Sequence, residues 1–283
     1  MRGYRVHLDE QEPIVSIDDF VSTYSNPTDS RCEAAVGHLA IRGALPLRFD
    51  SPALEDLNIL AAWLMWSGSI SGYQSGIHLD DAKFKKGIRE IGKRLGLPFK
   101  DTGNFLIFGK NAAPYSRIIH LMGIYNSRGT RECRDTKANN PIELPEYVQF
   151  LAKNYKYMAG EDKCTARKIL IDQCRVLLYS KLVWSGTYEI NMIANKSKQK
   201  TRKLARQVIK MFNAVYPRLG LSNRLIGTKY GKERKNHTAI IRMGLDIVAK
   251  GAVPYGLFNS PPLNTEPEYH TRERYTTYKG ANS

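Results

Sequence analysis

The pattern L-x-x-x-L-x-W-S-G-[ST] occurs twice in this chain, from Leu60 to Ser69 and again 118 residues later from Leu178 to Thr187. An apolar run that closes on Trp-Ser-Gly reads as the end of a buried helix, because leucines four apart share one helical face and glycine suits a sharp exit. A second repeated string, Arg-Leu-Gly-Leu, stands at 94–97 and at 218–221, each time at the end of a basic segment. A repeat near 120 residues is too long for a solenoid unit and implies duplication of a whole α/β subdomain. Two such halves would pack about an internal pseudo-two-fold axis within a monomer. The repeated helices are the expected axis. Ala62 and Ser180 are small enough to let two backbones approach, and Trp66, Gly68, Trp184 and Gly186 complete the expected helix interface.

The order of elements between the anchors repeats as well. Residues 1–50 read as an N-terminal extension, with a short helix after Ser16. The first repeat spans 51–125: a helix to Gly68, a hairpin through "SISGYQSGIHL", a basic helix, a hairpin turning at Thr102-Gly103 and a third helix. Polar, aperiodic residues from Asn126 and a connecting helix fill 126–165. The second repeat, 166–250, is expected to run helix, strand, basic helix, hairpin with a basic loop, and a short helix at "GLDIVAKG". Residues 251–283 form a Pro-, Thr- and Tyr-rich tail.

Charge narrows the function classes. Forty-three Lys and Arg against 27 Asp and Glu leave a net +16, which favours a polyanionic partner such as DNA or RNA. The longest apolar run, around Ile59–Trp66, is far short of a spanning helix, so no membrane partner is expected. No apolar signal core opens the chain, and acids at Asp9, Glu10, Glu12, Asp18 and Asp19 argue against a transit peptide. An intracellular, soluble protein is expected. The four cysteines form no C-x2-C pair and the six histidines no H-x-x-x-H pair, so no metal ligands are assigned.

"LAAWLMWSGS" resembles, without gaps, the motif of the LAGLIDADG homing endonucleases, and is closer to the branch with L-A-x-W-x-M-D-D-G-S. Leu60, Ala61, Trp63, Met65, Gly68 and Ser69 match that branch, and the second copy matches at Leu178, Leu182, Gly186 and Thr187. The resemblance covers roughly residues 55–250. It implies an α+β fold of tandem αββαββα repeats, with the motif helices at the centre and two antiparallel sheets forming a saddle over DNA. It also implies one acid from each motif helix holding divalent cations at the scissile phosphates, since carboxylates must anchor metals that activate water.

At that position this chain departs from the motif. The acids are replaced by Ser67 and Ser185, and the preceding positions are Trp66 and Trp184. A neutral hydroxyl cannot anchor Mg²⁺ as a carboxylate does, and Glu189 has only Ser71 as its counterpart. The expectation is a catalytically degenerate scaffold that needs no cofactor and binds duplex DNA without cutting it. An RNA-binding, maturase-like or ribonucleoprotein role is the first alternative. A Mg²⁺-dependent endonuclease with displaced acids is the second.

On such a saddle the DNA-facing residues would include Ser69, Ser71, Tyr73, Gln74 and Ser75 in the first half, and Tyr188, Asn191 and Asn195 in the second. Lys100, Thr102 and Asn104 would follow from one hairpin. Arg224, Lys229, Lys232, Arg234, Lys235 and Asn236 would follow from the other. Amide side chains read adenine edges, and cations contact phosphates.

Overall fold

A computed structural model describes residues 5–71, 74–79, 82–109, 112–124, 143–184, 188–191, 198–216, 221–230 and 234–242. The fold is α+β. In chain order the elements are α1 (Ile17–Ser22), α2 (Ser30–Ile41), α3 (Leu54–Ser67), β1 (Gly68–Ser71), β2 (Gln74–His78), α4 (Ala82–Leu95), β3 (Phe99–Asp101), β4 (Phe105–Phe108) and α5 (Ala113–Leu121). There follow α6 (Glu146–Asn154), α7 (Gly160–Lys181), β5 (Leu182–Trp184), β6 (Tyr188–Asn191), α8 (Lys198–Val215), β7 (Ser222–Tyr230) and β8 (Arg234–Arg242). A single 3₁₀ turn, Tyr155–Tyr157, follows α6. The strands form two antiparallel four-stranded sheets, ordered β1-β2-β4-β3 and β5-β6-β8-β7.

Helix α3 is apolar almost all round, which fits its central position: Leu57, Leu60, Ala61, Ala62 and Leu64 are fully buried. It lies beside α7, with like ends together. Lys168 pairs with Glu55 near the start of α3, Ile169 and Gln173 meet Asn58, and Tyr179 stacks edge-on to Trp63 at 5.4 Å near the end. Between them sits one buried polar knot. Tyr147 of α6 donates to Asn58 Oδ1 at 2.8 Å, Gln173 Nε2 donates to the same atom at 2.7 Å, and Asn58 Nδ2 donates to the Ile169 carbonyl at 3.2 Å. Burial pushes the Tyr147 hydroxyl well above its usual range.

The repeated Arg-Leu-Gly-Leu string has a local cause in its first copy. Arg94 forks onto the Asp56 carboxylate at 2.8 and 2.5 Å, tying α4 to the first turn of α3. Gly96 takes φ +64°, the left-handed conformation that stops the helix. In the second copy, 217–220 lie outside the described residues, as does "GLDIVAKG".

Residues 5–50 contribute side chains to the core. Val6, Leu8, Val15, Phe20, Leu39 and Leu47 are buried in the same cluster as α3. Val6 N–H donates to the Tyr157 carbonyl, and Leu8 N–H donates to Asp162 Oδ1. Helix α1 begins after Ser16, as its sequence predicts, and a capping box between Ser16 and Asp19 closes its start. Helix α2, which begins on the Asp29 N-cap, was not evident from periodicity.

Candidate nucleic-acid interface

The first Trp-Ser-Gly closes α3 onto its own sheet. Trp66 and Trp63 are buried, and among the described residues neither indole Nε1 finds a hydrogen-bond partner. Ser67 Oγ donates to the His78 carbonyl of β2 at 3.1 Å. Gly68 is extended, with φ −117°, so its role is close approach rather than a special dihedral. A Cβ there would sit 2.6 Å from the Leu64 Cα and 2.8 Å from the Gly76 carbonyl oxygen.

The second copy differs from the expected helix end. Helix α7 stops at Lys181, and Leu182-Val183-Trp184 pairs with β6 as a strand. Leu, Val and Trp in succession suit a strand once the helix has ended, and register with Tyr188–Ile190 fixes it. Trp184 is therefore a strand residue and not part of the helix pair. Ser185 and Gly186 lie outside the described residues. Of the remaining expected interface positions, Ala62 is fully buried on α3, and Ser180 Oγ is buried on α7 without a hydrogen-bond partner among the described residues.

Strand register sorts the candidate residues by face, because side-chain positions alternate along each strand and match across the ladder. In the first sheet one face is buried: Ser75, Ile77, Leu79, Leu106 and Phe108. The Asp101 position shares that face through its pairing with Leu106, and its carboxylate meets Arg89 and Lys85 of α4. The helices thus cover this side. The opposite face comprises the Ser69, Ser71, Gln74, Gly76, His78, Phe105, Ile107 and Lys100 positions. His78 and Phe105, directly cross-strand, form an edge-on ring pair at 4.9 Å, and both are half-buried.

Ser75 corrects the sequence reading. Its Oγ, buried at 1% exposure, donates to Ser116 Oγ of α5 at 2.9 Å. It faces the helices and cannot face a ligand on the other side. Alternation of one residue separates it from Gln74. Tyr73 lies outside the described residues.

The hairpin carrying Lys100, Thr102 and Asn104 is held from behind. Lys85 Nζ donates to the Gly103 carbonyl and Arg89 to Asp101 Oδ2. Thr102 Oγ1 donates to the Phe105 carbonyl, and Asn104 gives its carbonyl to Leu79 N–H. Lys100, Thr102 and Asn104 are all exposed.

In the second sheet, Ile190 and Ile241 are cross-strand partners and fully buried, which marks the helix-covered face. The Tyr188, Lys229 and Lys235 positions share its alternation, so three residues expected to face DNA fall on the covered-face register. The other face takes Glu189, Asn191, Ser222, Arg224, Thr228, Tyr230, Arg234, Asn236, Thr238 and Arg242. Ile240, at 8% exposure, lies on this face between the Asn191 and Arg224 positions. Arg242 and His78 were missed by the sequence reading. Strict alternation from Ile241 and from Ile77 could have found both. Asn195 and Lys232 lie outside the described residues.

Among the described residues no group of three or more His, Cys, Asp or Glu stands close enough to hold a metal ion. No helix there is long and apolar enough to cross a membrane. No protein-family model matches the chain, and no curated protein matches it at a significant level.

Proposed function

We propose that this chain binds duplex DNA on a LAGLIDADG-like scaffold and does not cleave it. The observation that carries the reading is the pair of sheets with equivalent strand order, each following one of two adjacent central helices. Their faces away from the helices hold register positions for Arg224, Arg234, Arg242, Asn191, Asn236, Gln74 and Lys100. Antiparallel strands with basic and amide residues at alternate positions suit a groove, where cations neutralise phosphates and amides read base edges. The element order α3-β1-β2-α4-β3-β4-α5, followed after α6 by α7-β5-β6-α8-β7-β8, supports a tandem repeat; the closing helix of a second αββαββα unit would fall outside the described residues.

Absence of cleavage follows from chemistry at the helix end. Ser67 occupies the position of the family's metal-holding acid, carries no charge, and already donates its proton to a strand carbonyl. A lone Glu189 position without an acidic counterpart leaves no symmetric pair to hold two cations.

Binding of a randomised duplex pool in the presence of Mg²⁺, followed by denaturing electrophoresis of the bound fraction, tests both halves. Retained, intact strands are expected. No retention at low salt contradicts the binding, and cut strands contradict the loss of chemistry.

A further inference from the structure

The two basic helices are not equivalent in how their charge is used. On α4, Lys85 and Arg89 pair with Asp101, Lys93 with Glu90 and Arg94 with Asp56. On α8 the sequence KQKTRKLARQVIKMFNAV contains no acid. Its Lys203 pairs with Glu143. Lys198, Arg202, Arg206 and Lys210 are exposed and have no ion pair or hydrogen bond among the described residues.

Those four residues are each four apart. They form one row along the helix, with steps of about 6 Å and a length of about 18 Å. Each step of four turns about 40° further round the helix, so the row winds across its exposed side from Lys198 to Arg206 and Lys210, which lie opposite the buried face of Thr201, Leu204, Ala205, Val208, Met211, Phe212 and Val215. That buried face packs toward β8 and the core, so the cations point away from the second sheet. Gln199 and Asn213 are exposed on the same side. Among the described residues the large exposed apolar side chains, Ile17, Ile41 and Tyr157, are all elsewhere. A lipid surface would be met by exposed apolar side chains able to enter the headgroup layer, whereas the large apolar residue on this side of the helix, Ile209, is half-buried against the core. A regularly charged polyanion needs only the cations.

We infer that the Lys198–Arg202–Arg206–Lys210 row is a second DNA-backbone site, on the opposite side of the molecule from the sheet faces, which takes a further duplex segment. The inference rests on the proposed binding of duplex DNA by the sheets. DNA held there would present its own flanking duplex, or a second one, at high effective concentration. The row contacts phosphates without base readout, so it adds affinity and salt dependence but no sequence preference. Its consequence is that one chain bridges two duplex segments.

The test uses the full chain and two variants, Lys198→Gln/Arg202→Gln/Arg206→Gln/Lys210→Gln and Arg224→Gln/Arg234→Gln. Readouts are duplexes bound per chain at saturation, salt dependence, and capture of a second labelled duplex by bead-bound DNA. The unaltered chain is expected to capture the second duplex. The α8 variant should keep one duplex, lose the capture, and show a salt slope smaller by about 3 to 4. Unchanged capture in the α8 variant overturns the inference. So does stronger capture of duplex RNA or anionic vesicles than of DNA by the α8 row. If the Arg224/Arg234 variant keeps full binding while the α8 variant loses all of it, the sheet reading fails and the bridging of two segments fails with it, leaving α8 as the DNA site. If the unaltered chain binds no duplex DNA, both fail. Unchanged thermal melting of the α8 variant, whose substitutions are all exposed, separates lost binding from lost folding.

Discussion

Ser67 Oγ donates a 3.1 Å hydrogen bond to the backbone carbonyl of His78, so the last residue of α3 is fastened to the strand that returns from its own hairpin. The bond joins residues eleven apart in the chain, and the hydroxyl of Ser67 is a structural donor. Replacing it with alanine, Ser67→Ala, should cost about 0.5–1.5 kcal/mol in urea unfolding, the ordinary net worth of such a bond. An acid there would lose the donor and place negative charge at a helix C-terminus, so Ser67→Asp should cost more than Ser67→Ala. Equal stability of all three proteins would contradict this account of the position.

The Asn58–Tyr147–Gln173 knot joins α3, α6 and α7 in the buried interior. Asn58→Ala strips partners from Tyr147 and Gln173 at once, leaving buried polar groups unsatisfied. The expected loss is about 2–4 kcal/mol by chemical denaturation. A loss under ~0.5 kcal/mol would mean that the knot holds nothing together.

Two glycines should respond in opposite directions. At Gly68 a methyl group meets the Leu64 Cα at 2.6 Å, backbone that cannot yield, so Gly68→Ala should destabilise by about 1–3 kcal/mol. Gly37, inside α2, has nothing within 4 Å of an added Cβ, and Gly37→Ala should stabilise by about 0.5–1 kcal/mol. Melting temperatures of the pair check both signs.

Asp172 makes stability depend on pH. Burial raises its carboxyl to about 7, against the pull of Arg175 at 3.8 Å, with Glu55 raising it further and Lys168 lowering it. In the unfolded chain it titrates at its ordinary value near 3.8. The folded state therefore holds the proton between those two values. Its contribution to stability is full below pH 3.8 and is lost as pH rises through about 7. Asp172→Asn should flatten that decline and raise the melting temperature at pH 8 while leaving it nearly unchanged at pH 4. A lower melting temperature at pH 8 would contradict the burial argument.

Much of the architecture was legible because its signals are local. Leucine spacing in α3, the basic amphipathic run of α4, Gly103 at a hairpin turn and the Ser16 cap each carry their own cause. Facing was less legible. Ser75 stands beside Gln74 in a polar string, and only pairing with the buried Ile77 and Leu106 side reveals that it bonds Ser116. Trp184 was misplaced because the two Trp-Ser-Gly copies were assumed to end helices alike, whereas α7 yields to a strand four residues earlier than α3 does. The use of charge was invisible as well, since cations of α4 find acids as distant in sequence as Asp56 and Asp101.

The central claim is that the sheet faces away from the helices hold duplex DNA without cutting it. The most direct measurement is the salt dependence of duplex binding in Mg²⁺ for the unaltered chain and for Arg224→Gln/Arg234→Gln/Arg242→Gln. Intact strands are expected throughout, with a slope of log K against log salt that falls by about 2 to 3 in the variant. An unchanged slope, or cleaved strands with the unaltered chain, would contradict that claim.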